Sequence, residues 1–238
     1  MTVVAIASVF GAASTTQAAV LAQYAFDGQT NAQNNNAPVT STLAGVSATN
    51  LIPNDASLTA PARPSSVINS NYALGATAPY ISLYPNSASV GAGGTPAAAV
   101  ANGSYHFFTL SVASGALDLS DISLWATKGG AGTRGFVLQS SADNYTTDIL
   151  SASVPSANGT SAGGTANFYN PTLSGAIYDN LTSITFRIYV FTDNSGRSVN
   201  FDDITVNGDL AAVPEPSSLA LASLLAVATL LRKRRAAL

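Results

Sequence analysis

The sequence predicts an all-β protein, two antiparallel sheets packed as a jelly-roll-like sandwich. Three observations predict it. Runs of alternating polarity recur between clusters of turn residues. Residues 20–210 contain no Glu and one Lys, both strong helix formers. Only 9% of the 238 residues are charged, while Ser, Thr, Asn, Gly and aromatic residues are abundant. The length suits one large all-β domain.

The strands follow in order. Val20–Phe26 places Ala22, Tyr24 and Phe26 on one face. Tyr80–Tyr84 is a short run ended by Pro85. Tyr105–Val112 groups His106, Phe108, Leu110 and Val112, and Asp121–Thr127 alternates around Ile122 and Leu124. Gly135–Gln139 and Asp148–Val154 come next. Ser183–Phe191 is the clearest strand, with Ile184, Phe186, Ile188 and Val190 facing one way and Thr185, Arg187 and Tyr189 the other. Val199–Asn207 ends the domain with Ile204 and Val206 inward. Gly, Asn, Ser and Pro clusters separate these runs, and residues 28–75 read as long loops with one or two strands. Eight or more short strands without a fixed repeat favour a sandwich over a propeller or a β-helix.

The two ends read as addresses. Residues 1–19 carry an apolar run, Val3 to Ala13, then small polar residues and Ala18-Ala19, which predicts a signal peptide cut after Ala18 or Ala19. No Lys or Arg precedes the apolar run, and the alternative is a buried N-terminal helix. Residues 211–238 hold Val213, Pro214, Glu215 and Pro216, an apolar stretch from Ser217 to Leu231, and the basic cluster Arg232, Lys233, Arg234 and Arg235. As a helix the stretch would measure roughly 22 Å, a marginal span of a ~30 Å hydrocarbon core. Basic residues beyond it anchor the membrane end and place the body, residues 20–210, outside.

This order of triplet, apolar helix and basic cluster resembles the PEP-CTERM sorting signal. The resemblance implies an exported protein that passes through the secretion machinery and is held transiently in the inner membrane. An exosortase would then recognise Pro214-Glu215-Pro216, and the product would reach the cell surface or extracellular matrix of a Gram-negative-type bacterium. The stretch 105–207 is similar to a recurring ectodomain of such proteins, through YHFFTLSVASG, DLSDISLWAT, RGFVLQSSADNY, LTSITFRIYVF and VNFDDITVNG.

The domain ends also look like those of jelly-roll carbohydrate-binding modules, with Phe26-Asp27-Gly28 opening and Phe201-Asp202-Asp203-Ile204 closing. That resemblance implies a structural calcium held by Asp27 and Asp202. By strict alternation Asp202 faces inward with Ile204 and Val206, and an inward carboxylate needs a partner. The alternative is a strand-end cap, or a contact with Arg187.

Composition excludes several functions. With no Cys there is no disulfide, thiolate zinc site or cysteine nucleophile, and one His excludes multi-histidine metal sites. The body carries five basic residues against eleven Asp, a net −6, so nucleic acid is not a partner. His106 lies mid-strand among apolar residues without a G-x-S-x-G motif, so no serine triad is expected. Asp202 and Asp203, neighbours on one strand, cannot flank a glycosidic bond. The better lead is aromatic. Trp125 and Tyr189 lie opposite their strands' aliphatic residues and offer flat rings for sugars, unless both faces of the strand are covered and Trp125 is core. The expected function is a non-enzymatic envelope or matrix protein that binds polysaccharide. The alternatives are a structural or adhesive domain and a polysaccharide hydrolase. Replacing Pro214-Glu215-Pro216 by alanines is expected to leave the full-length chain in the inner membrane on cell fractionation. Release at normal size would contradict the sorting reading.

Overall fold

The computed structural model describes residues 18–26, 29, 32–33, 36–54, 65–69, 80–85, 94–129, 132–154, 156–157, 166–194 and 197–211. The expected signal peptide up to residue 17, Asp27 and the sorting segment from residue 212 lie outside the described residues. Among the described residues no helix is long and apolar enough to cross a membrane.

The elements run β1 (Ala19–Tyr24), β2 (Ala32–Gln33), β3 (Ser41–Thr42), β4 (Val46–Ala48), β5 (Ile52–Pro53), β6 (Ser65–Asn69) and β7 (Tyr80–Tyr84). Then come α1 (Pro96–Ala101), β8 (His106–Val112), β9 (Ala116–Gly129), β10 (Arg134–Ser140) and β11 (Leu150–Ser153). The last are β12 (Ser156–Ala157), β13 (Asn167–Tyr169), β14 (Ser183–Thr192) and β15 (Val199–Ala211). One sheet has nine strands in the order β12-β9-β15-β7-β6-β2, with β1 also on β15, β3 on β1 and β13 on β9. The other has six, β11-β10-β14-β8-β4, with β5 on β8. Pairing is antiparallel except for the two-residue contact of β12 with β9. The two sheets form the sandwich that the alternating pattern predicts.

The eight sequence-predicted strands are all present. Two of them, β9 and β15, extend well past their expected ends, because polar residues such as Asp118 and Asp209 continue the ladder on its solvent side. Residues 28–75 differ from the expectation of mostly loop. They supply five strands, four of them only two or three residues long, too short to show a period.

The core lies between the sheets. Leu21, Tyr24, Phe108, Leu110, Ile122, Leu124, Phe136, Phe186, Ile188, Phe201 and Val206 are all fully buried there. Rings bridge the layers, Tyr24 against Phe108 at 4.8 Å between centroids and Phe136 against Phe201 at 5.1 Å. His106, 1% exposed, belongs to the buried set rather than to an open site. Tyr24 also ties the sheets by a polar link, its hydroxyl donating to the Thr49 carbonyl at 2.5 Å.

Burial pushes the Tyr24 phenol far above its usual range. A raised folded pKa means stability is complete below the unfolded value, about 10, and falls as pH rises beyond it. Tyr24→Phe is expected to cost about 1 kcal/mol at pH 7 by urea unfolding, since the Thr49 carbonyl loses its donor. The same substitution should flatten the loss of stability above pH ~10. Equal alkaline sensitivity in both chains would contradict this assignment.

Candidate functional site

The two outer sheet faces carry different chemistry. On the six-stranded sheet, alternation along β14 sends Ile184, Phe186, Ile188 and Val190 into the core and Arg187, Tyr189 and Phe191 outward. The outward face is partly roofed by α1. Thr95 caps this helix, its hydroxyl accepting from the Ala98 N–H at 3.3 Å, and Pro96 opens its first turn. Ala99 is buried against Val137, Tyr189 and Phe191. Tyr189, expected as an open stacking ring, is therefore only 3% exposed. The face predicted for it is correct, but a six-residue helix covers it.

Beside that cover, Arg187 sits between two aromatic rings. Its guanidinium carbon lies 4.3 Å from the centroid of Tyr105 and 3.4 Å from that of Tyr145. One terminal N–H donates to the Tyr189 hydroxyl at 3.5 Å. Such stacking stabilises a cation by about 0.5–2 kcal/mol. A turn places Tyr145. Asn144 and Tyr145 both take positive φ, 56° and 59°, strained for non-glycine residues. Asp143 holds this turn by accepting the N–H groups of Thr146 and Thr147 at 3.3 and 2.9 Å. Burial acts to lower the Arg187 pKa, but the bond to Tyr189 and the neighbouring tyrosines hold it above its ordinary value. Burial likewise raises the Tyr189 phenol, which stays protonated.

On the nine-stranded sheet the outer face is polar, with Ser82 bonded to Asn200 at 2.8 Å and Asn207 to Asp121 at 2.6 Å. Two rings interrupt it. Trp125, half-buried, is paired across the ladder with Phe168 of β13, and their centroids are 5.1 Å apart at 50°. Phe168 is 53% exposed. Trp125 and Tyr189 thus stand on opposite sheets and cannot meet one ligand residue.

Asp202 is paired directly opposite Trp125 on β15. Directly opposite residues share a face, so Asp202 lies on the outer side and not with Ile204 and Val206. A bulge is the reason. The register shifts between Asp202 and Thr205, with Asp203 at φ 49°, and the extra residue returns Ile204 to the core. Asp202 is nonetheless fully buried, and one of its carboxylate oxygens accepts the Asp203 N–H at 2.9 Å. Arg187, the other partner considered for it, is on the other sheet. A buried carboxylate has the right donor type for calcium. Its expected co-ligand Asp27 is outside the described residues, and no cluster of three or more His, Cys, Asp or Glu occurs among those described.

Sequence reasoning missed Phe168 and the clamp on Arg187. Phe168 and Tyr169 are an aromatic pair following a run of small residues, and that pair was the available signal. The clamp joins residues at 105, 145 and 187, a proximity that no local period encodes.

Residues 212–235 match the PEP-CTERM protein-sorting motif. No curated protein matches the chain. Among solved structures the chain is distantly similar to the K1 cleaved adhesin domain of Lys-gingipain from Porphyromonas gingivalis W83, at 13% identity, covering 79% of this chain and 97% of that one with a TM-score of 0.40. It is similar to the CBM22-1 xylan-binding domain of Paenibacillus barcinonensis Xyn10C at 12% identity, covering 84% and 100% with a TM-score of 0.39. A Stig cyclase from Fischerella sp. TAU aligns at 9% identity over 81% and 100%, with a TM-score of 0.43. All three fall below a TM-score of 0.5, and no role passes from them to this chain. The C-terminal motif is specific: this is an exported protein that carries a PEP-CTERM sorting signal, which implies processing by an exosortase.

Proposed function

We propose that the exported body is a non-catalytic binding domain that holds neutral polysaccharide at the outer face of its nine-stranded sheet. The observation that carries this reading is the Trp125–Phe168 pair, two adjoining rings, one of them 53% exposed, on an otherwise polar face. Sugar rings present apolar C–H faces to such aromatics and hydroxyls to polar neighbours. A rigid strand pair fixes the rings, so little conformational entropy is lost on binding. Calcium at Asp27 and Asp202 enters this reading only as a structural support beside the ring pair, since Asp202 lies directly opposite Trp125.

Sorting would deliver this surface to the cell exterior or its matrix, where polysaccharide is the available partner. The test is co-sedimentation of the full chain with insoluble neutral polysaccharides, alongside Trp125→Ala and Phe168→Ala. Each substitution is expected to weaken binding by about tenfold, equivalent to more than 1 kcal/mol, with near-UV circular dichroism of the remaining aromatics preserved. Binding should barely respond to salt. Undiminished binding in both folded variants would contradict stacking at this pair and favour the structural or adhesive reading.

A further inference from the structure

A second feature, independent of the ring pair, centres on Asp148, which lines two depressions. One, of 460 Å³, is also lined by Gln139 and by the apolar Pro96, Ala97 and Val100 of α1. The other, of 320 Å³, is also lined by Asp143, Thr172, Ser174, Ile177 and Tyr178. Gln139 orients Asp148. It is 3% exposed, and its amide nitrogen donates to one Asp148 carboxylate oxygen at 2.8 Å. Asp148 itself is exposed, and no other hydrogen bond or ion pair engages it among the described residues. Its second oxygen is therefore open to a ligand. Asp143 differs, because its two oxygens already accept the N–H groups of Thr146 and Thr147. Gln139 Oε1 is buried with no hydrogen-bond partner, which leaves its negative partial charge uncompensated beside the carboxylate.

The charge lining both depressions has one sign. Residues 135–186 contain Asp143, Asp148 and Asp179 and neither Lys nor Arg, and α1 is uncharged. Burial acts to raise the Asp143 pKa, but hydrogen bonds from Thr147 and Thr146 hold it below its ordinary value, so it stays ionised. Arg187, a cation on the outer face of the same sheet, lines neither depression, and the rings of Tyr105 and Tyr145 cover it. A concave site walled by carboxylates alone raises the local concentration of cations. The other groups narrow the cation. The hydroxyls of Thr172 and Ser174 can exchange hydrogen bonds with ligand hydroxyls. Ile177, 48% exposed, offers apolar surface to a C–H face. A ring that carries an ammonium, hydroxyls and a C–H face meets all three. A lysine side chain supplies the ammonium and an apolar stem but leaves both hydroxyls unused.

We propose that Asp148 and the smaller depression bind an unacetylated amino sugar, a pyranose ring bearing a primary ammonium. The ammonium donates to the open Asp148 oxygen in a charge-assisted hydrogen bond. Ring hydroxyls meet Thr172 and Ser174, and one C–H face lies on Ile177. The larger depression, with its α1 wall, takes the adjoining residue of the same glycan. The site is separate from the Trp125–Phe168 face and does not rest on the sugar contact proposed there.

The test is calorimetric titration of the full chain, in a detergent without sugar headgroups, at about pH 6, where a primary amine is protonated. The probes are the methyl glycosides of glucosamine and galactosamine, their N-acetyl counterparts, and Nα-acetyl-lysine amide. At least one amino sugar is expected to bind at least tenfold more tightly than its N-acetyl form and than the lysine amide, and to weaken as salt is raised. Asp148→Asn keeps an oxygen for Gln139 and removes the charge, so it should abolish the preference for the amine. Co-sedimentation with neutral polysaccharide should be the same in Asp148→Asn as in the wild-type chain. The comparison of amine with N-acetyl form uses the wild-type chain, so it decides the matter even where Asp148→Asn fails to fold. Equal binding of the two forms, no binding of either amino sugar at millimolar concentration, or a folded Asp148→Asn chain that keeps the preference would overturn the proposal. Lysine amide binding as tightly as the amino sugars would overturn it too, assigning the site to a basic peptide.

Discussion

The pairing of β9 with β15 is the constraint on which the rest of the structure depends. Fourteen residues of one strand and thirteen of the other run side by side at the centre of the nine-stranded sheet. The nine-stranded sheet is assembled around this ladder. β7 and then β1 share the edge of β15 that β9 leaves open, at residues 199–201 and 204–208, while β13 is seated on β9. A bulge at Asp203 interrupts the ladder, and a second register shift follows between Asn207 and Gly208. Shifting a strand by one residue inverts its faces, so the bulge decides which carboxylate meets Trp125 and which aliphatics meet the core.

The ladder also separates the two ends of the domain. Ala19 pairs with Gly208, and the described chain leaves the sheet at Ala211, so the first and last strands have their outer termini together. Trp125 and Asp202 lie nine residues back along β15, roughly 30 Å away at about 3.3 Å per residue. The ring pair is therefore far from the point where the sorting segment begins. A domain tethered or processed at that segment keeps its aromatic face free of the attachment point.

Much of this was legible in the sequence because burial on one face writes a period of two. β14 is the clearest case, with four inward aliphatic and aromatic residues in strict alternation, and the structure buries all four. Tyr80–Tyr84 is found at its predicted bounds. The period fails where an extra residue enters, and so Asp202 was read onto the wrong face. It is silent about cover, and so Tyr189 was read as open although α1 lies over it. The strands between 32 and 53 have two or three residues each, and nothing so short can display an alternation. The clamp around Arg187 needs a strained turn at Asn144 and Tyr145 and the ring of Tyr105 forty residues upstream, a coincidence in space that only the fold creates. The sorting signal was the opposite case. Its triplet, apolar run and basic cluster are contiguous, so the chain order alone carries them.

Trp125 is the chain's single tryptophan, so its fluorescence reports on one position of one sheet. The most direct measurement is its emission spectrum during titration of the wild-type chain with a soluble neutral polysaccharide that the chain binds. The account predicts a saturable blue shift with the same midpoint as binding measured by calorimetry, because a sugar ring displaces water from the exposed side of the indole. Tight binding with an unchanged Trp125 spectrum would contradict it, placing the polysaccharide elsewhere on the domain.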